Sequence, residues 1–218
     1  MKSTKDTADV QAIPLDRETV VRMAGDLIDA EGVDALTLTR IANQAGVTQP
    51  ALYRHVKNLS DLWRLLGLTN RERLAIELTE ATVGRAGRDA VYAAANAWRA
   101  YGVAHPGRYR ADERFAVVGH PELEAAVDRV LDVLARAIRS FEMTDDDLVH
   151  AALTLRSALH GFVSFEIGDG HPQSHNPDDS FDHLIDMLCT AFEASSRSDD
   201  TGRSRRTQDS PTRKSASA

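Results

Sequence analysis

A single cysteine, Cys189, is all the thiol this sequence carries. An internal disulfide framework is excluded, and a reducing compartment is the natural setting. Tyr, Phe and Trp together make up only 6% of the 218 residues, so a core has to be built mainly from Ala, Leu and Val. No apolar run approaches the roughly 18 residues of a membrane helix. The opening MKSTKDTADVQ has no hydrophobic segment of the kind a signal peptide carries. Strand-like alternation is also missing. What remains is 42% hydrophobic and 27% charged, in Ala/Leu/Arg/Glu-rich segments. It predicts an all-α, cytoplasmic protein of one or two domains with no membrane partner.

Acid is abundant but unevenly spread, within a net charge of −7. Residues 1–34 hold four basic and eight acidic groups, and residues 76–196 hold ten and twenty. Residues 35–60 contain Arg40, Arg54 and Lys57 and no acid at all. Residues 61–75 carry a net +1 and residues 197–218 a net +3. Overall charge argues against a polyanionic partner; the acid-free window argues for one locally.

That window coincides with the densest local signals, TLTRIANQAGVTQPALYRHVK from Thr37 to Lys57. Thr37 is placed to cap a short helix whose apolar face is Leu38, Ile41, Ala42 and Ala45. Gly46 suits the positive-φ residue that ends it, with Val47 as the apolar residue that follows. Thr48 is placed to cap a second helix with Pro50 in its first turn. Leu52 and Val56 anchor this helix inward and leave Gln49, Arg54 and His55 facing out. Two short helices around a glycine turn, the second with a polar outer face, read as a helix-turn-helix that binds double-stranded DNA.

Around it the chain divides into a flexible arm (1–14), a DNA-binding domain (15–75), a helical regulatory and dimerisation domain (76–196) and a disordered tail (197–218). A helix from a cap at Asp16 to about Glu31 buries Val20, Ala24, Leu27 and Ile28. Asn58 caps a fourth helix whose inner face is Leu62, Leu65, Leu66, Leu74 and Leu78. Beyond the break at Gly84–Gly87, a helix carries Trp98 and Tyr101 and stops at His105-Pro106-Gly107; an irregular stretch with Tyr109 and Phe115 follows to Gly119. Three more helices follow: from Pro121, from the cap at Thr144, and from Asn176-Pro177. About nine helices result. No repeat is present.

From Leu15 to about Leu66 the chain resembles the N-terminal domain of the tetracycline-repressor (TetR) family, most closely over GVTQPALYRHVKN, residues 46–58. AWRAYGVAHPGRYR (97–110) and ALHGF (158–162) resemble a regulatory-domain class with a Trp/His-Gly signature, with Leu159 where Trp often stands. No counterpart of the tetracycline and magnesium site is visible. The resemblance implies a ligand-responsive homodimeric repressor on a palindromic operator, with a small-molecule effector whose identity stays open.

It places Gln49, Ala51, Tyr53 and His55 against DNA. By chemistry, the Gln49 amide pairs with an adenine edge and the Ala51 methyl meets a thymine methyl. Tyr53, His55, Lys57 and the Thr37 hydroxyl suit phosphates, and Thr39, Arg40, Thr48, Pro50 and Arg54 complete the expected DNA-binding set. For Tyr53 a place in the core is an equal alternative. Thr39, Ala51 and Arg54 depart from the family's nearest pattern, so no operator sequence carries over.

One recognition helix reads too few bases for genomic selectivity, so a dimer is expected. Its expected interface is a four-helix bundle from the last two helices, through Leu155, Gly161, Leu184 and Leu188. An effector pocket is expected among Trp98, Tyr101, Phe115, His160 and Phe162, although aromatics at helical spacing also suit plain core. The histidines are expected at the surface, and Cys189 is expected in the core. No metal or cofactor is expected. No nucleophile motif or phosphate loop supports an enzyme. A non-specific DNA binder using the basic tail is the remaining alternative.

Overall fold

The computed structural model describes residues 15–208 apart from 113, 169, 171–173 and 175, with side chains to residue 195. The expected arm and residues 209–218 lie outside the described residues. Nine α-helices and no strand occur among them.

The head is built from local chemistry. Helix α1 (Arg17–Glu31) starts at Asp16, whose carboxylate accepts the Thr19 N–H at 2.7 Å, and ends at Gly32. Helix α2 (Leu38–Gln44) starts at Thr37, whose hydroxyl accepts the Arg40 N–H at 3.2 Å. At its end Gly46 sits at φ 66°, a left-handed conformation that an L side chain resists. There Val47 N–H reaches Ala42 O at 3.0 Å and Gly46 N–H reaches Asn43 O at 3.1 Å. These two bonds close the helix as a Schellman motif and set the angle of the turn. Helix α3 is short, Gln49–Leu52, and continues as hydrogen-bonded turns to Val56. Thr48 occupies the cap position, but its hydroxyl makes no cap bond, contrary to expectation.

Helix α4 (Leu59–Thr82) begins at Asn58, whose side chain accepts the Asp61 N–H at 2.8 Å, while Asp61 accepts the Lys57 N–H at 2.9 Å. It is shared by two cores. Leu62, Leu65 and Leu66 close the head cluster with Val20, Ile28, Ile41, Leu52 and Val56. Leu74, Ala75 and Leu78 belong to the larger body cluster. Between them lie Asn70 and Arg71, the two buried polar residues of the described core.

The body consists of α5 (Gly87–Ala104), α6 (Pro106–Ala111), α7 (Pro121–Ile138), α8 (Asp145–Glu166) and α9 (Pro177–Gln208). Helix α6 corrects the expected irregular stretch. Pro106 ends α5 and also starts α6, at a helix position where a missing N–H costs nothing. Like α4, α6 serves both cores: Ala111 packs in the head and Tyr109 in the body. Helix α9 also runs farther than expected, to Gln208. The residues past 197 offer no apolar face, and their helix extends α9 by propagation, which needs no new nucleus.

Candidate functional site

The outer surface of α2 and α3 is polar and projects from the head. Thr39, Thr48, Gln49, Pro50, Arg54 and Lys57 are exposed, and Tyr53 is 50% exposed, which removes it from the core. Ala51 and His55 are half-buried beside them. The Gln49 amide donates to the Thr39 hydroxyl at 3.3 Å, so the two helices share one polar patch across the turn. Neither the Arg54 nor the Lys57 side chain forms a salt bridge within 4 Å among the described residues, although the Lys57 charge favours the ionised form of Asp61. Arg40 differs: Glu31 at the end of α1 holds its guanidinium at 2.6 Å, away from that patch.

Asp61 anchors the C-terminal side of this face. Burial works against its ionisation, but the Lys57 N–H and Arg64 outweigh that cost and hold its pKa below the ordinary carboxylate value. It remains charged where α4 begins, as suits a helix N-terminus.

One body element, α6, approaches the head closely. A Cβ on Gly107 would lie 2.0 Å from Ile28 O, so α6 meets the α1 backbone where only glycine fits. The contact is then fixed by charge. Asp29 accepts the Arg108 N–H at 2.8 Å, pairs with the Arg108 guanidinium, and lies 3.1 Å from His105 Nδ1. Arg108 also reaches Asp26 at 2.6 Å. From the other side, Asn70 donates to Arg108 O at 3.0 Å. Arg71 donates to Asp112 through its carboxylate at 3.2 Å and its carbonyl at 3.1 Å. Helix α6 is thus held between α1 and α4.

Behind α6 lies a cavity of about 200 Å³ lined by Arg71, Leu74, Trp98, Tyr101, Tyr109, Asp112, Val117, Val127, Val130, Arg156 and His160. Trp98 Nε1 donates to Tyr109 Oη at 2.8 Å, and His160 Nδ1 lies 3.0 Å from the same oxygen. Burial raises the Tyr101 pKa, leaving its hydroxyl a neutral donor to Asn70 O at 3.3 Å. Of the expected pocket residues, Trp98, Tyr101 and His160 line this cavity. Phe162 instead packs on Phe181 with ring centroids 5.0 Å apart, and Phe115 on His120 at 4.8 Å. His105, expected at the surface, is half-buried with Asp29 as its partner. Tyr109, Arg71, Asp112 and Arg156 were not anticipated; they come from three different elements, and no sequence spacing joins them. A wider cleft of about 620 Å³ lies at the junction of head and body, but its Arg22, Arg73 and Arg108 are already paired with acids.

The last two helices carry exposed apolar side chains: Val149 at 57% and Leu153 on α8, Met187 at 59% on α9. Leu184 and Leu188 are half-buried. A Cβ on Gly161 would meet nothing within 4 Å, so its own chain does not fill that space. Leu155 is fully buried in the protomer's own core and has no surface to offer a second copy. Cys189 is buried, as expected, and burial pushes its thiol pKa up. No helix among the described residues is long and apolar enough to cross a membrane.

Residues 21–62 match the family model for bacterial regulatory proteins of the tetR family, and residues 91–188 match that for the tetracyclin repressor-like C-terminal domain. An uncharacterised helix-turn-helix-type transcriptional regulator of Mycobacterium tuberculosis is 38% identical over 154 residues, covering 70% of this chain and 71% of that one. The class C tetracycline repressor protein of Escherichia coli is 50% identical over 44 residues, 20% of each chain. Among solved structures, a TetR transcriptional regulator from Streptomyces coelicolor aligns with a TM-score of 0.68 at 19% identity, covering 84% of this chain and 99% of that one, and shares the fold.

Proposed function

The chain belongs to the TetR family of bacterial transcriptional regulators, which bind DNA and are not enzymes, and we propose that it is a cytoplasmic, effector-responsive homodimeric repressor of a palindromic operator. Gln49 and Ala51 read base edges; Tyr53, Arg54, His55, Lys57 and the Thr37 hydroxyl hold phosphates and fix the register. The dimer forms through α8 and α9, where Val149, Leu153, Gly161, Leu184, Met187 and Leu188 meet their copies and set the spacing of two heads on successive major grooves.

The observation that carries the regulatory half is the position of α6. It lines the cavity through Tyr109 and grips the head through Arg108, with His105 just before it on the same Asp29. A ligand that moves α6 therefore moves α1, and with it the reading face. To matter, the effector must favour the released state by a few kcal/mol, each ~1.4 kcal/mol being a factor of ten. No catalytic turnover is part of this role.

Selection of bound fragments from genomic DNA tests it. Enrichment of one inverted repeat, bound by two protomers per site, is expected. Recovery of unrelated fragments in proportion to their length would support a non-specific binder instead.

A further inference from the structure

The cavity behind α6 has one charge too many for a neutral ligand. Arg71 already has a counter-ion in Asp112 and a third acceptor in Gly67 O at 2.8 Å. His160 and Trp98 both bond the Tyr109 hydroxyl. Arg156, one turn before His160 on α8, is half-buried on the same wall and makes no hydrogen bond or ion pair with any described residue. The lining also holds apolar side chains, Leu74, Val127, Val130 and the Trp98 ring. The volume of about 200 Å³ fits a small ligand, below the range of drug-sized sites.

We infer that the cavity takes a small organic monoanion, a carboxylate on a flat or short apolar body, and that Arg156 is the residue that selects it. The inference rests on the effector reading of this cavity. A neutral ligand would shut the Arg156 guanidinium away from water with no acceptor, which is costly. A carboxylate supplies two oxygens at the spacing of the guanidinium fork, and these charge-assisted bonds are among the strongest in proteins. A cation would face an unpaired arginine. The apolar body lies against Leu74, Val127 and Val130.

The test uses the full-length protein in a Trp63→Phe background, so that Trp98 in the cavity wall is the remaining tryptophan. Benzoate, phenylacetate and hexanoate are titrated against benzamide, phenylacetamide and hexanamide, which match them in shape but carry no charge. Each acid is expected to bind at least about tenfold more tightly than its amide, as one charge-assisted pair implies. Arg156→Gln is expected to bring that ratio to about one while leaving the amides unchanged, and Arg156→Lys to keep part of it. Equal binding of acids and amides, a ratio that survives Arg156→Gln, or binding of neither series would overturn the inference. Operator release, followed on the same samples, separates the two readings. Acids that bind through Arg156 without releasing operator would refute the effector role and leave the anion site standing.

Discussion

The fully buried apolar residues of the head cluster are all aliphatic, and its polar side chains are kept on the outside. The body does the reverse, turning Arg71, Trp98, Tyr101, Tyr109, Asp112 and His160 inward around a cavity. A surface that reads a fixed polymer needs a rigid support and outward donors. A site that answers to a diffusing molecule needs inward ones, and burying them requires that each find a partner. Helices α4 and α6 belong to both regions, so the difference is bridged by elements with one side in each core. The two tryptophans divide the same way, Trp63 packed on the head cluster and Trp98 in the body, and report on each region separately.

The largest effect is expected from breaking one core alone. Leu62→Ala removes a fully buried side chain of the head and is expected to cost about 3 kcal/mol. In denaturant titrations the Trp63 signal should then be lost first, with the Trp98 midpoint close to wild type. Coincident shifts would mean the regions are one cooperative unit. Next comes the joint. Gly107→Ala forces a Cβ against the Ile28 carbonyl and is expected to cost about 2 kcal/mol. The two tryptophan transitions should part, and effector response should fall even where operator binding persists.

A smaller effect is tied to acid. The folded-state pKa of Asp61 lies below its ordinary value, so its contribution to the head is fully present above about pH 4 and is lost below it, as pH falls through the lowered folded-state pKa. Trp63 should report loosening there before Trp98 does, and Asp61→Asn should remove the difference. No stability change is expected for Gly161→Arg, since its Cβ meets nothing in the protomer. Sedimentation should show the dimer dissociating; a dimer that survives places the interface elsewhere.

The head was legible because its signals are local. Thr37, Gly46 and Asn58 each act within four residues of themselves, and an acid-free window is visible as a string. The body was legible as helices, from apolar spacing of three and four, but not as a site. Pro106 read as a stop, although it is equally the first residue of a new helix, so α6 was missed together with its grip on Asp29. Aromatic rings point to Phe115 and Phe162 in the sequence, while the cavity is closed by Arg71, Asp112 and Arg156, whose proximity depends on how α4, α6 and α8 cross. Leu155, expected at the interface, is buried, while Leu153 two positions before it is exposed. On a helix that step is about 200° and exchanges core for surface.

The direct test of the account is a salt-dependent titration of the protein on its selected operator and on random DNA of equal length. Operator is expected to bind at least about 10³-fold more tightly. Lys57→Ala should weaken both and lower the salt slope by about one, whereas Gln49→Ala should narrow the gap. Equal affinity for the two DNAs in the wild-type protein would contradict the assignment of α3 as a reader of sequence.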